Sequence, residues 1–407
     1  MTVDLGDSSL ASGSGPTAAG GPLTGGSVLL ATMVRGATTV GVATHMSQVV
    51  GLLRGRGVDA QVVAPTWPGR RLNTALLGPT TALRQVTRGE FGLRLDRAAY
   101  QRNLEQALRH HLEVAPCRVI YAQDPRSAAA ALRVRGGARV PVVMVVHFND
   151  SQAQELVERG AIRAGGSYDR RIRDFEADVL PRLDGLVYVS AYMREHLTGV
   201  MPAVARLPSV IVPNFLEDDV ATATSAAPLR DCISVGSLVE RKNHGYLLEI
   251  LAAGRSAGLA PTLTIVGKGP LRHELEARAE ALGVADQVVF TGPRSDVAAL
   301  LRQHRVYVHS ATMENLPYAL IEAFRAGLPV VAGRVGGIGE LIGDEETGRF
   351  WPLDDPTAAA RILDTLLSDS TALAEASRIA RRTFEERYSV SSAGSALTDF
   401  LLRSALS

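Results

Sequence analysis

From residue 27 onward, short apolar runs alternate with stretches in which apolar positions recur every three to four residues. The first runs are residues 27–33, 60–64, 119–122, 140–146, 186–190 and 210–212. Short runs without polar alternation suit strands buried on both faces. Helical periodicity lies between them, as at 42–53, 98–112 and 171–180. Strands separated by helices predict a parallel sheet covered on both sides. The pattern then starts again, with strands expected at 232–235, 263–266, 287–290, 306–308, 330–332 and 349–351. Helices fit at 243–257, 271–282, 297–301, 316–326, 338–342 and 356–367, and 390–402 reads as one more. The expected fold class is therefore α/β, with two successive doubly wound, Rossmann-like units. Open parallel sheets bind ligands beyond the carboxyl ends of their strands, so two such units facing each other would enclose a deep interdomain cleft.

Composition changes this picture little. A chain of 407 residues exceeds one ordinary core. A formal net charge of +1 demands neither nucleic acid nor an acidic partner. Cys117 and Cys232 each sit in or beside an apolar run, so both are expected as buried thiols in separate halves, in a reducing cytoplasm. No run reaches the roughly 18 apolar residues of a membrane span. Residues 1–25 are rich in Gly, Ser, Thr and Pro and have no basic start or apolar core, so a disordered tail is expected there rather than a secretion signal. The partition that follows is a tail at 1–25, an N-terminal domain at 26–215, a C-terminal domain at 216–388 and a last helical segment at 389–407. The acidic and Ser/Thr/Ala/Pro-rich stretch 214–230 reads as the join. Residues 69–95, irregular and basic, read as a solvated insertion or as a loop reaching toward an acceptor.

Candidate chemistry concentrates in the second half. The segment Ser310-Ala-Thr-Met-Glu314-Asn315-Leu316-Pro317 follows a strand and opens a helix expected to begin near Asn315, with Asn as the N-cap and Pro in the first turn. Backbone N–H groups at such a helix start suit a diphosphate. Glu322 follows Glu314 by about 12 Å of helix axis, a span that fits one carboxylate on a sugar and the other on the ribose of the same donor. The plainer reading is a solvated acidic helix start with Glu322 paired to Arg325. A second segment, Gly236-Ser237-Leu-Val-Glu-Arg241-Lys242, also runs from strand to helix; cations at a helix start oppose its dipole, and an anionic ligand would resolve the conflict. Gly267-Lys-Gly-Pro270 is a weaker strand–helix turn, and Val335-Gly336-Gly337-Ile-Gly-Glu340 is a glycine-rich turn that lets a phosphate or sugar approach backbone amides.

In the first half His147 closes an apolar run and so points into the expected cleft. Gly36 and Gly41 lie in the loop after the first strand. Asp124 also ends a strand, though Asp-Pro is common in plain turns, and His45 reads as an ordinary helix residue. There is no Ser-His-Asp order, no zinc-type cysteine spacing and no clear Asp-x-Asp pair, which favours metal-independent chemistry without a cofactor.

The second half resembles the retaining glycosyltransferases of family 4, which have the two-domain GT-B fold. The resemblance is nearly continuous from Cys232 to Asp355. It rests on Glu314-x7-Glu322, Gly236…Lys242, Gly267-Lys-Gly-Pro270, Phe290-Thr-Gly292 and Gly336-Gly337…Glu340. The first half is similar more loosely, through Gly41, His147, Ser190 and Val212-Pro213-Asn214. By position the resemblance implies Glu314 at the donor sugar, Glu322 at the ribose and Lys242 at the diphosphate. It implies backbone help near Asn315–Leu316, Gly336 and Gly41, donor binding also by Gly236, Ser237, Arg241, Gly267 and Gly337, and His147 near the sugar or acceptor. It also implies that the last helix crosses back onto the N-terminal domain. Two departures stand out: Ser237 occupies the place where the family usually has Arg, with Arg241 as a replacement, and Phe215 replaces a common Gly as a minor linker change.

The function so implied is transfer of a hexose-type sugar from a UDP- or GDP-sugar, with retention. A small specialised-metabolite or cyclitol acceptor is preferred, with polysaccharide or glycolipid synthesis as the alternative. A nucleotide-sugar epimerase, a phosphorylase on the same fold, or a silent nucleotide-sugar-binding subunit of a partner enzyme are the competing readings.

Overall fold

A computed structural model of the chain describes residues 26–34, 40–65, 90–136, 140–158, 160–218, 230–343 and 347–404. The N-terminal half runs β1 (Ser27–Ala31), α1 (Val40–Gly55), β2 (Ala60–Val63), α2 (Glu90–Val114), β3 (Cys117–Ala122), α3 (Pro125–Val134), β4 (Val142–Val146), α4 (Gln152–Glu158), α5 (Ser167–Val179), β5 (Gly185–Tyr188), α6 (Ala191–Val200) and β6 (Ser209–Ile211). Its sheet has the order β2-β1-β3-β4-β5-β6 and every pairing is parallel. All five residues of β4 are buried, as a strand covered by helices on both faces requires.

The C-terminal half repeats the plan with β7 (Arg230–Val235), α7 (His244–Ser256), β8 (Leu263–Val266), α8 (Arg272–Ala281), β9 (Val288–Gly292), α9 (Val297–Leu301), β10 (His304–His309), α10 (Tyr318–Arg325), β11 (Val330–Gly333), α11 (Ile338–Ile342), β12 (Gly348–Trp351) and α12 (Pro356–Ser368). Its order, β12-β11-β10-β7-β8-β9, is again parallel throughout. Two helices close the described chain, α13 (Ser370–Thr383) and α14 (Val390–Ser404).

The strand orders decide where a ligand can sit. In the first sheet successive crossovers leave β1 and β3 in opposite directions; in the second they leave β7 and β10 in opposite directions. Loops diverge at such points and leave a crevice at the carboxyl ends of the strands. The loops after β7 and β10 are the segments 236–243 and 310–317 singled out from the sequence.

The chain passes between the halves twice, and the passages lie side by side. Leu216 N donates to Tyr388 O at 2.9 Å and Val390 N donates to Leu216 O at 3.0 Å. Beyond this point α14 packs on the N-terminal half: a β-carbon at Gly394 would come within 2.7 Å of the Leu52 side chain.

The twelve apolar runs overlap the twelve described strands. Helices α3, α4, α6 and α13 lie outside the helical stretches named from the sequence; α3 is alanine-rich, so its buried face carries few of the large apolar side chains that mark a helix. Residues 90–95 belong to α2 rather than to the irregular insertion, whose remainder, 69–89, lies outside the described residues, as do residues 1–25, Gly36 and 219–229 of the join. Phe215 is no minor linker change, because it is fully buried in the core that joins the halves. Cys232 is a buried thiol as expected, whereas Cys117 is only half-buried.

Candidate functional site

The loop after β7 is shaped by contact with the loop after β8. Leu238 is fully buried; its N–H donates to Lys268 O at 3.0 Å and its carbonyl accepts from Leu271 N at 3.2 Å. This packing explains Gly267-Lys-Gly269. A β-carbon at Gly267, whose φ is 149°, would lie 1.8 Å from Gly236 O, and one at Gly269 would lie 2.1 Å from Leu238 O. Ser237, at the departure from the family pattern, is exposed. The loop ends in the turn Glu240–Lys242 and in Asn243, which holds a left-handed φ of 50°. Ser310 Oγ donates to the carbonyls of Lys242 and Asn243 at 3.1 and 2.8 Å, tying this turn to the loop after β10.

That tie brings the charges together. Lys242 Nζ donates to Glu314 Oε1. Arg241 Nη1 lies 3.1 Å from the same oxygen and donates to Met313 O at 2.7 Å, while its Nε is 3.2 Å from Glu158 of the other half. His309 Nε2 is 3.6 Å from Glu314. Burial alone would favour the neutral acid, but Lys242, then His309 and Arg241, override it and hold the Glu314 carboxyl well below the usual carboxylate range. The result is a buried carboxylate facing two side-chain cations at a switch point, a cradle an anionic ligand could share.

Glu314 and Glu322 are not on one continuous helix. The helix begins at Tyr318, after an extended Pro317 with no side-chain cap, so the expectation of Asn315 as N-cap is corrected. Proline at 317 favours an extended conformation in the residue before it, which carries the segment past the helix axis. Asn315 instead reaches across to the N-terminal half. Its Oδ1 accepts from Ser190 Oγ at 2.6 Å, and its Nδ2 donates to Val146 O and Phe148 O at 3.3 and 3.4 Å. Asn214 Nδ2 donates to Leu316 O at 2.6 Å. The backbone N–H groups of Asn315 and Leu316 donate to nothing among the described residues. Burial, only partly opposed by the Arg325 charge, pushes the Glu322 carboxyl up to about 7.

Gly336 and Gly337 clamp the same segment from behind. With φ at 50°, a β-carbon at Gly336 would lie 1.8 Å from Glu314 O; one at Gly337 would lie 2.0 Å from Asn315 O. Gly337 N donates to Glu314 O at 3.2 Å. Glu340 then accepts from Ala191 N and Tyr192 N at 2.9 and 2.6 Å, capping α6 of the opposite half.

On the N-terminal side His147 Nε2 is 3.4 Å from Gln123 Oε1, and its ring meets His45 edge-on with centroids 4.5 Å apart. Burial pushes the His147 pKa down to about 4, so the ring is neutral at pH 7. His45 is not an ordinary helix residue. It is buried, with Nε2 3.2 Å from Tyr121 OH and Nδ1 3.3 Å from Tyr318 OH across the cleft. A β-carbon on Gly41 would sit 3.7 Å from the Tyr318 ring, so this helix start faces α10 closely. Asp124 is the plain N-cap of α3, accepting from Arg126 N and Ser127 N. The reading from sequence passed over His309 and Tyr318, each adjacent to a motif residue but of a type that also serves in cores. Among the described residues no group of three or more His, Cys, Asp or Glu could hold a metal ion, and no helix is long and apolar enough to cross a membrane.

Residues 39–220 match the model described as Glycosyltransferase Family 4, and residues 224–383 match Glycosyl transferases group 1. The chain is a family 4 glycosyltransferase. Its fold is the GT-B fold, as expected. This glycosyltransferase is 31% identical over 271 residues to the GDP-mannose-dependent alpha-(1-6)-phosphatidylinositol monomannoside mannosyltransferase of Mycolicibacterium smegmatis, covering 61% of this chain and 66%, just under two thirds, of that one. It is 24% identical over 339 residues to the phosphatidyl-myo-inositol mannosyltransferase of Mycobacterium leprae, covering 80% and 83% of the two chains. It is 28% identical over 169 residues to the 2-deoxystreptamine glucosyltransferase of Streptomyces kanamyceticus, covering 41% and 44%. Similar solved structures include sucrose-phosphate synthase from Thermosynechococcus elongatus, with a TM-score of 0.68, 16% identity and 93% and 98% coverage. HepE of Anabaena in complex with UDP-glucose matches with a TM-score of 0.65, 16% identity and 92% and 99% coverage.

Proposed function

We propose that this glycosyltransferase moves a hexose from a UDP- or GDP-sugar to a small cyclitol or related metabolite, with retention at the anomeric carbon and without a metal ion. The observation that carries the reading is the buried Glu314 carboxylate held against Lys242 and Arg241 beside two unengaged backbone N–H groups. A donor diphosphate takes Lys242 as its counter-charge. Arg241, already directed at the same oxygen, supplies the guanidinium that Ser237 cannot. Glu314 is then released toward the sugar hydroxyls, and Glu322 receives the ribose. The C1–O bond to phosphate breaks and the nucleoside diphosphate leaves with the electron pair. The acceptor oxygen bonds C1 on the same face, and its proton passes to the departing phosphate oxygen. His147, neutral at pH 7, hydrogen-bonds the sugar or acceptor rather than acting as a cation. The relatives' names carry 2-deoxystreptamine and, within a phosphatidyl lipid, inositol; both are cyclitol rings, and this supports a cyclitol ring in the acceptor. The test is a thermal-shift screen against UDP-, GDP-, TDP- and ADP-sugars, followed by product NMR. A shift with one donor is expected, lost in Lys242→Ala, together with a retained anomer. An inverted product would overturn retention, and no shift with any donor would overturn the donor site.

A further inference from the structure

A group of donors on the N-terminal half has no use in the reaction described so far. Helix α2 packs along α3, whose first turn follows Gln123, the partner of His147. Arg97 and Gln101 lie one turn apart on α2 and so share a face. Arg126, in the first turn of α3, reaches Gln101 Oε1 at 3.4 Å, and its guanidinium stands over the Phe175 ring of α5 at 5.8 Å.

Three features point to an anion-binding role. Gln101 is only 7% exposed, yet its Nε2 is buried without a hydrogen-bond partner, and Arg97 Nη1 is in the same condition. Buried donors of this kind are otherwise nearly always satisfied. Secondly, Arg97 is close enough to Arg126 to repel its charge, and neither has a carboxylate at ion-pair distance among the described residues. Their neighbour Arg133 is matched by Glu105 at 2.7 Å, and the Asp124 carboxylate is taken up by the N–H groups of Met33, Arg126 and Ser127. Burial first, and Arg97 next, bring Arg126 down to about 10, which leaves it charged at neutral pH. Thirdly, the cluster stands at the β1/β3 switch point, at the start of α3, where the helix dipole adds to the same field.

We infer that Arg97, Gln101 and Arg126 form an anion subsite on the acceptor side of the cleft, and that the acceptor carries a phosphate group. Two guanidinium forks and an amide donor suit the oxygens of a phosphate ester, whether on a soluble cyclitol or in a lipid headgroup. The inference rests on the transferase reading, since it assigns this side to the acceptor.

The test is calorimetry with the donor site saturated by UDP or GDP, titrating inositol 1-phosphate against inositol, with a parallel arm using phosphatidylinositol vesicles. A preference of at least about ten-fold for the phosphorylated ligand is expected, as charge-assisted hydrogen bonds allow. In Arg97→Gln/Arg126→Gln that preference disappears while nucleotide affinity, which reports a folded protein, persists. If the double variant does not fold, Gln101→Leu replaces it and is expected to weaken phosphate binding several-fold. Binding of the soluble ester assigns a small metabolite; binding of vesicles alone assigns a headgroup. Equal affinity for inositol and its phosphate with neither vesicle binding nor sensitivity to the variants overturns the subsite. Failure of the wild type to bind nucleotide overturns the transferase reading instead.

Discussion

Around the cleft the C-terminal half presents glycines pressed against carbonyl oxygens, whereas the N-terminal half presents a buried histidine pair and two arginines with no carboxylate at ion-pair distance among the described residues. Both halves have the same sheet plan and a switch point facing the other. The difference is in how each fixes its site. Gly236 with Gly267, and Gly336 with Glu314, bring backbone to within a distance no β-carbon allows, so the geometry follows from residue type at fixed spacing. His45, Tyr121 and Tyr318 are placed by helix and strand packing over long separations, with nothing local that demands them.

The sharpest way to break this comparison is Gly336→Ala beside Gly339→Ala. At Gly336 the new methyl meets Glu314 O at 1.8 Å with φ at 50°, and backbone cannot give way cheaply; around Gly339 nothing lies within 4 Å. The first change is expected to cost about 2–4 kcal/mol and to abolish measurable transfer. The second, inside α11, is expected to be neutral or to stabilise by up to about 1 kcal/mol. Urea unfolding and donor hydrolysis on both variants decide it. Near-normal hydrolysis by Gly336→Ala would mean that backbone contact does not set the donor site.

Glu322 offers a smaller effect with a definite sign. Its carboxyl is raised from 4.5 to about 7 in the folded protein, so the native state holds the proton more tightly than the unfolded chain. Stability is therefore undiminished below about pH 4.5, falls as pH rises toward 7, and is lower by at most about 3 kcal/mol above that. Glu322→Gln should flatten the decline, measured as Tm at pH 5 and pH 8, and should weaken nucleotide affinity by roughly ten-fold if the carboxylate meets ribose hydroxyls. A variant that keeps the decline in Tm would place its cause in another group.

The same contrast explains what the sequence revealed. Unalternating apolar runs marked every described strand, because a strand buried on both faces has few other compositions, and the glycine and Glu-x7-Glu spacings marked the donor loops. Asn315 was assigned to helix capping because Asn before a helical pattern commonly caps, yet Pro317 keeps the segment extended and Asn315 spans to Ser190 and Val146. Phe215 and His45 read as incidental from sequence, since nothing within ten residues of either shows that the two halves pack together there. The Arg97–Arg126 cluster was equally hidden: its members are 29 positions apart, and arginines on helices usually face solvent.

Glu340 tests the contrast most finely, because it joins the two kinds of construction. It follows the glycine pair of the C-terminal half and accepts two N–H bonds at the start of α6 in the N-terminal half. Beside it Ser190 Oγ accepts from Met193 N at 3.0 Å and donates to Asn315. Glu340→Gln retains one oxygen acceptor and loses the charge that the helix start favours, an expected cost of about 1 kcal/mol. That cost falls only on the arrangement in which the halves touch. A five-fold shift in an open–closed equilibrium is about what it amounts to. Donor KM should therefore rise a few-fold with global Tm nearly unchanged, and small-angle scattering should show a slight expansion. A fall in Tm of several degrees with no change in KM would make Glu340 a fixed part of one core rather than a bond across the cleft, and the two halves would then be one rigid unit in which backbone and side-chain sites are set together.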